Sequence, residues 1–148
     1  MVDKRQFLTA AEVVAREVKT ADFHHHYGVG EHQFGNLYLP VGDGPHPVVV
    51  AVHGGCWRAQ YSLDHLSGFC RALAQAGTAV WSLEYRRIGH EARQWEDTFL
   101  DVGAGADALR ALAERFALDL NRVMVVGHSA GGHLACWLAA RHRLPEES

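Results

Sequence analysis

Long apolar runs are missing from this sequence. No stretch approaches the roughly 20 apolar residues that a membrane span needs. The charged opening from Met1 to Gln6 is not followed by the apolar segment of an export signal. Lysine and arginine never gather into a run, and the net charge is −3 with histidine neutral, so a nucleic-acid partner is not expected. Cysteine is scarce. Cys56, Cys70 and Cys136 make an odd, widely spaced set that fits no disulfide framework or zinc pattern. Reduced thiols in a soluble, cytoplasmic protein are the expectation. Internal repeats and low-complexity tails are absent as well.

What is present suits one domain. The chain has 148 residues, 48% of them apolar, enough to bury a core. Phe7, Leu8, Ala11, Val14, Ala15 and Val18 fall on one face at helical spacing. A looser stretch, Asp22 to Gly35, follows and holds His24, His25 and His26. Asn36 to Pro40 reads as a short strand, and Gly42-Asp43-Gly44-Pro45 as a turn. The run Pro47 to Val52, ended by Gly54-Gly55, suits a strand covered on both faces. Leu66, Phe69, Cys70, Leu73 and Ala76 make a helical stripe that stops at Gly77. Thr78 to Leu83 is the next strand, Thr98 to Phe116 a longer helix, and Arg122 to Val126 a further strand. Leu134, Trp137, Leu138 and Arg141 mark a last helix. Alternating strands and helices predict an α/β fold with a mostly parallel sheet.

Two motifs carry chemistry. Gly127-His128-Ser129-Ala130-Gly131 is a G-x-S-x-G match between an apolar strand and a helix. That is the setting of a nucleophile elbow, where a tight bend lifts the serine hydroxyl above the sheet. The helix that follows points its N-terminus at the site and favours developing negative charge. The second motif is His53-Gly54-Gly55-Cys56-Trp57, at the end of another apolar strand. In a parallel sheet it falls on the same rim as Ser129. Its glycines let the backbone approach a bound carbonyl oxygen. The N–H groups of Gly55 and Cys56, with that of Ala130, then form an oxyanion hole.

Other polar residues read more plainly. His53 precedes the glycines and is expected to fix the loop by hydrogen bonding. His128 points elsewhere, His133 is a helix-surface residue, and Asp101 is a helix-face or loop-anchoring carboxylate. Trp57 and Tyr61 line an acyl or aryl pocket or pack in the core. No metal is expected at His24 to His26. Adjacent residues of an extended chain point to alternate sides, and no Asp, Glu or Cys completes a set.

With these motifs in place, the chain resembles the α/β-hydrolase carboxylesterases that have an H-G-G-x-W oxyanion loop, the group that includes kynurenine formamidase (arylformamidase). Tyr27-Gly28, Leu37 to Pro40, His53 to Trp57, Glu84-Tyr85-Arg86, Asp101 and Gly127 to Ala135 carry the resemblance in order. It implies that Ser129 attacks a small carboxylic ester or an N-formyl aryl amide, with no metal or organic cofactor. It also implies a triad in the order serine, acid, histidine. Downstream of Ser129 stand only His133, His142, Glu146 and Glu147, none where the family places its acid and base. The expectation is therefore a partial α/β-hydrolase fold with its later strands missing: a single domain over 1–148, with an N-terminal helix and loop at 1–25 and a sheet core at 34–148 that ends on the nucleophile helix. The strand at Arg122 to Val126 would then expose an apolar edge open to self-association or a partner chain. The alternatives are a truncated, non-catalytic remnant, or a peptidase or acyl transferase.

Overall fold

In the computed structural model the described residues are Thr9, Glu12, 15–90 and 94–143. Most of the proposed N-terminal helix lies outside them. The strands are β1 (Phe23–His26), β2 (Phe34–Tyr38), β3 (His46–Val52), β4 (Ala79–Leu83) and β5 (Leu118–Gly127). The helices are α1 (Ser67–Gln75), entered through a 3-10 turn at Leu63–Leu66, then α2 (Glu96–Asp107), α3 (Leu109–Arg115) and α4 (Ala130–Ala140).

The strands form one sheet in the order β1-β2-β4-β3-β5. β3 runs parallel to both β4 and β5, as the alternating rhythm predicts. β1 and β2 instead join antiparallel at the far side, so the sheet is mixed. β3 explains its own apolar run. Val48, Val50 and Val52 face one core, with Trp81, Leu83, Val102, Leu109 and Leu134. Val49 and Ala51 face the other, with Tyr38, Cys70 and Ala74. A strand buried on both faces has no position where a polar residue is free of cost. Cys70 lies deep in the second core, and burial pushes its thiol up to about 11, which keeps it protonated and unreactive. The three cysteines are all free.

Three expectations need correction. The stretch from Asp22 to Gly35 is not all loose: Phe23–His26 is a strand, whose four residues pair with Leu37, Asn36, Gly35 and Phe34. The helix expected over 98–116 starts earlier and divides at Ala108. No breaker residue stands there. Ala108 keeps right-handed helical angles, its N–H reaches the Ala104 carbonyl at 3.0 Å and its own carbonyl takes the Leu112 N–H at 3.1 Å, so the division is slight. Finally, β5 starts at Leu118, four residues before the apolar segment that announced it, with a register irregularity opposite His46 and Val48. Leu37 to Tyr38 does lie in a strand, displaced toward Phe34. Gly77 ends the α1 region with φ 93°, as its position after the stripe predicts.

Candidate active site

Strand register sets the site. Val52 aligns with Leu83 on one side and with Gly127 on the other. The chain therefore leaves β3, β4 and β5 at one level, and His53, Glu84 and His128 emerge on the same rim. Brought together there are the two motifs predicted to act jointly.

Ser129 links β5 to α4 with φ 54° and ψ −118°. These are the angles of the first central residue of a type II′ turn, which is usually glycine. The bend is held by the Gly131 N–H on the His128 carbonyl at 2.9 Å and the Gly132 N–H on the Ser129 carbonyl at 2.9 Å. Ser129 itself is exposed, while Ala130 is buried. Neighbouring glycines are required by close approach. A Cβ on Gly131 would overlap the Val52 carbonyl oxygen and lie 2.5 Å from that of His53. A Cβ on Gly54 would lie 2.5 Å from the His128 carbonyl oxygen and 3.1 Å from the Ser129 Cβ. The obstructing atoms at Gly131 are backbone on both sides and cannot turn away. Gly131→Ala is thus expected to lose more than about 4 kcal/mol of stability, read as a large fall in the urea midpoint. A variant that melts like the wild type would contradict this packing.

The β3 loop is strained where it meets the serine. Gly55, Cys56 and Trp57 have φ of 120°, 52° and 56°. Two of the three are not glycine, at a cost of about 1–3 kcal/mol each. Hydrogen bonds hold the loop: Arg58 N–H to the Gly55 carbonyl (2.9 Å), Ile88 N–H to that of Trp57 (2.8 Å), and Ala59 N–H to that of Ile88 (2.9 Å). Among the described residues no acceptor takes the N–H of Gly55, Cys56 or Ala130. Backbone donors left free after Ser129 and in the loop whose Gly54 meets it are chemically suited to receiving an anionic oxygen.

Beneath the loop lies a buried polar cluster that sequence reasoning reached only in part. His53 is fully buried, and its Nδ1 donates to the Gly54 carbonyl at 2.8 Å. Its Nε2 stands 3.0 Å from Glu84 Oε1. Arg87 Nη1 lies 2.8 Å from that oxygen and 2.8 Å from that nitrogen. Glu84 also accepts the N–H groups of Leu63 (3.1 Å) and Tyr85 (3.0 Å). The Tyr85 hydroxyl donates to the His53 carbonyl at 2.7 Å, and its ring stacks on the imidazole at 4.4 Å. Burial alone would raise the Glu84 carboxyl. The His53 hydrogen bond, with the His53 and Arg87 charges, outweighs burial and holds it below the ordinary carboxylate range. A depressed carboxyl contributes stability that is present above its unfolded pKa, near 4.3. That contribution is lost as pH falls through the lower folded value. Stability is therefore expected to decline below about pH 4.3, and to decline less steeply in Glu84→Gln. Urea melts between pH 5 and pH 3 read both slopes; parallel slopes would remove Glu84 as the cause. The signals available beforehand were a carboxylate directly after a strand and the place of Glu84-Tyr85-Arg86 in the family resemblance.

The remaining predicted residues fall into place as follows. Asp101 is a buried loop anchor, accepting from Gln33 Nε2 (2.7 Å), the Arg86 N–H (2.9 Å) and Arg86 Nη2 (2.7 Å). Trp57 is half-buried against the main core, edge-on to His133 at 5.9 Å. Tyr61 sits behind Gly55, its Cβ 2.5 Å from where a Gly55 Cβ would be. His133 is exposed and also meets Phe99 edge-on at 5.8 Å. His142 Nδ1 faces the Ala139 carbonyl at 3.1 Å. Among the described residues no side chain hydrogen-bonds to the Ser129 hydroxyl. His65, not singled out in the sequence, lies between His53 and His128, with ring centroids 5.8 and 6.2 Å away. Burial lowers its pKa, and its buried Nδ1 has no partner among the described residues.

A family model described as BD-FAE matches residues 36–146. The chain belongs to the BD-FAE family. Solved structures agree in fold. Esterase B from Lactobacillus rhamnosis superposes with a TM-score of 0.71 at 28% identity, covering 88% of this chain and 44% of that one. A bacterial heroin esterase does so with a TM-score of 0.66 at 32% identity, covering 74% and 35%. The architecture is thus that of the α/β-hydrolase esterases. Among curated relatives, esterase LipC of Mycobacterium tuberculosis is 35% identical over 92 residues, 62% of this BD-FAE chain and 22% of the relative. Isoprenylcysteine alpha-carbonyl methylesterase ICME of Arabidopsis thaliana is 35% identical over 102 residues, 68% and 23%. The BD-FAE chain spans less than a quarter of the length of the curated relatives it matches, and under half that of these two solved esterases. No helix among its described residues is long and apolar enough to cross a membrane. No group of three or more His, Cys, Asp or Glu among them is placed to hold a metal ion.

Proposed function

We propose that this chain carries the nucleophile and oxyanion-binding part of a serine hydrolase acting on carboxylic esters. Ser129 Oγ attacks the carbonyl carbon, and the carbonyl oxygen, now anionic, takes the N–H groups of Gly55, Cys56 and Ala130. Gly54 lets the two loops meet, and His53 supports the first of them. Trp57 and Tyr61 flank the acyl or aryl group. The reading rests on one observation above all: a serine held in a glycine-like turn, exposed, against the Gly54 loop. Names of the relatives, esterases of several kinds, agree with it. N-formyl aryl amides require the same attack and the same oxyanion contacts, so they belong to the proposal as substrates.

Attack requires a base for the hydroxyl proton and an acid that orients the base. We propose that neither is supplied by the described residues, none of whose side chains bonds to the Ser129 hydroxyl. The isolated chain should then be a weak catalyst, left with what oxyanion donors and binding supply. A panel of p-nitrophenyl acetate, N-formylkynurenine and short peptides, assayed on protein that contains the acid and base, tests the substrate class. Ester or formamide turnover is expected; peptide turnover alone would move the reading to a peptidase.

The outer edge of β5 supports a second part of the proposal. Among the described residues β5 pairs only with β3, and Val123 and Met124 are 41% and 63% exposed. An unpaired apolar edge is a template for another strand. The isolated chain is expected to show a mass that rises with concentration in sedimentation. A monomer with one sharp urea transition would contradict this.

A further inference from the structure

The histidines of β1 form a pair that only the strand geometry discloses. In a strand, residues two apart share a face. Phe23 and His25 turn toward the core, where Phe23 packs on Phe116 at 5.0 Å and His25 faces Trp81 at 6.3 Å. His24 and His26 are both exposed on the opposite face. Their Nε2 atoms lie 3.3 Å apart. Two nitrogens bound at about 2.0–2.1 Å to one tetrahedral ion stand roughly 3.3–3.4 Å from each other. The pair already has the spacing of two ligands of one metal.

A neighbouring strand prepares one of the rings. Asn36, directly across from His24 in the register, places its Oδ1 2.9 Å from His24 Nδ1. A carboxamide oxygen only accepts, so His24 Nδ1 carries the proton and its Nε2 lone pair faces His26 Nε2, which donates to it until a cation takes the proton's place between them. Metal-bound histidines are oriented in this way by an acceptor on the other nitrogen. Phe34, across from His26, packs against both rings at 4.6 and 5.7 Å and restricts their rotation. We propose that His24 and His26 chelate a divalent transition cation of the zinc class, with Asn36 as the positioning residue. Imidazole nitrogen suits zinc, copper and nickel; magnesium and calcium prefer oxygen. Two coordination positions stay open to water. The site is at the opposite edge of the sheet from β5 and Ser129, so it is separate from the ester chemistry.

Titration of the full chain with zinc chloride in a calorimeter tests the proposal. One zinc per chain is expected to depend on both rings. His24→Ala and His26→Ala should each weaken it on the order of a hundredfold, because the second nitrogen binds within the same molecule. Asn36→Ala should weaken it roughly tenfold, and His25→Ala should leave it unchanged. Nitrogen-correlated imidazole spectra give an independent readout: zinc should fix the His24 and His26 rings with protons on Nδ1 alone. Zinc binding that survives both alanine substitutions, or no binding by the wild-type chain, would overturn the site.

Discussion

Ser129→Ala should reduce kcat by about a million-fold in protein that contains the acid and base, the scale seen when a triad nucleophile is removed. KM should change little, because the hydroxyl makes its new bond only on the way to the intermediate. Stability should not fall. The backbone at Ser129, φ 54° and ψ −118°, is a conformation that glycine adopts freely and other residues do not. Ser129→Gly is therefore expected to be as inactive as the alanine variant and more stable than the wild type, by about 1 kcal/mol or more. Paired activity and urea measurements separate the two effects. Loss of activity with a gain in stability is the signature of strain held at a reacting group. A glycine variant that is less stable would mean that the serine side chain packs, and the strain argument would fail.

The second large effect is expected at Glu84. Its carboxylate joins three segments: His53 after β3, the Leu63 N–H at the 3-10 turn, and Tyr85 with Arg87 after β4. Arg87 and Glu84 are both 2% exposed. Removing the carboxylate leaves a buried guanidinium without its counter-charge, which costs about 3–5 kcal/mol. That is a large part of a typical total of 5–15 kcal/mol. Glu84→Ala is expected to lose stability on that scale, with catalysis falling further because His53 is then no longer held under Gly54. Glu84→Gln keeps one acceptor oxygen and should lie between. Comparing kcat for the two variants under conditions where both are folded tests the coupling to the loop. If Glu84→Ala melts within about 0.5 kcal/mol of the wild type, in the range of an ordinary surface substitution, the cluster is not a keystone of the rim.

How much of this was readable beforehand depends on what each residue answers to. β3 was legible because burial on both faces leaves an unbroken apolar run. The bend at Ser129 was legible because backbone crowding demands glycine at fixed offsets, at Gly127 and Gly131. β1 was not, since an edge strand rich in histidine has one half-buried face and no apolar alternation; its partner in β2 identifies it. The division of α2 from α3 left no trace, because Ala108 is as good a helix former as its neighbours. The Glu84 cluster was hidden for a different reason. His53 and Glu84 are 31 residues apart, and only strand register places them side by side.

The claim on which the rest depends is that Ser129 is the group that bonds to substrate. A fluorophosphonate probe followed by peptide mass spectrometry tests it directly, on protein that contains the acid and base. The account predicts one adduct, on the peptide that contains Ser129, and none in Ser129→Ala. An adduct that persists in Ser129→Ala, or ester turnover with Ser129 unlabelled, would contradict it.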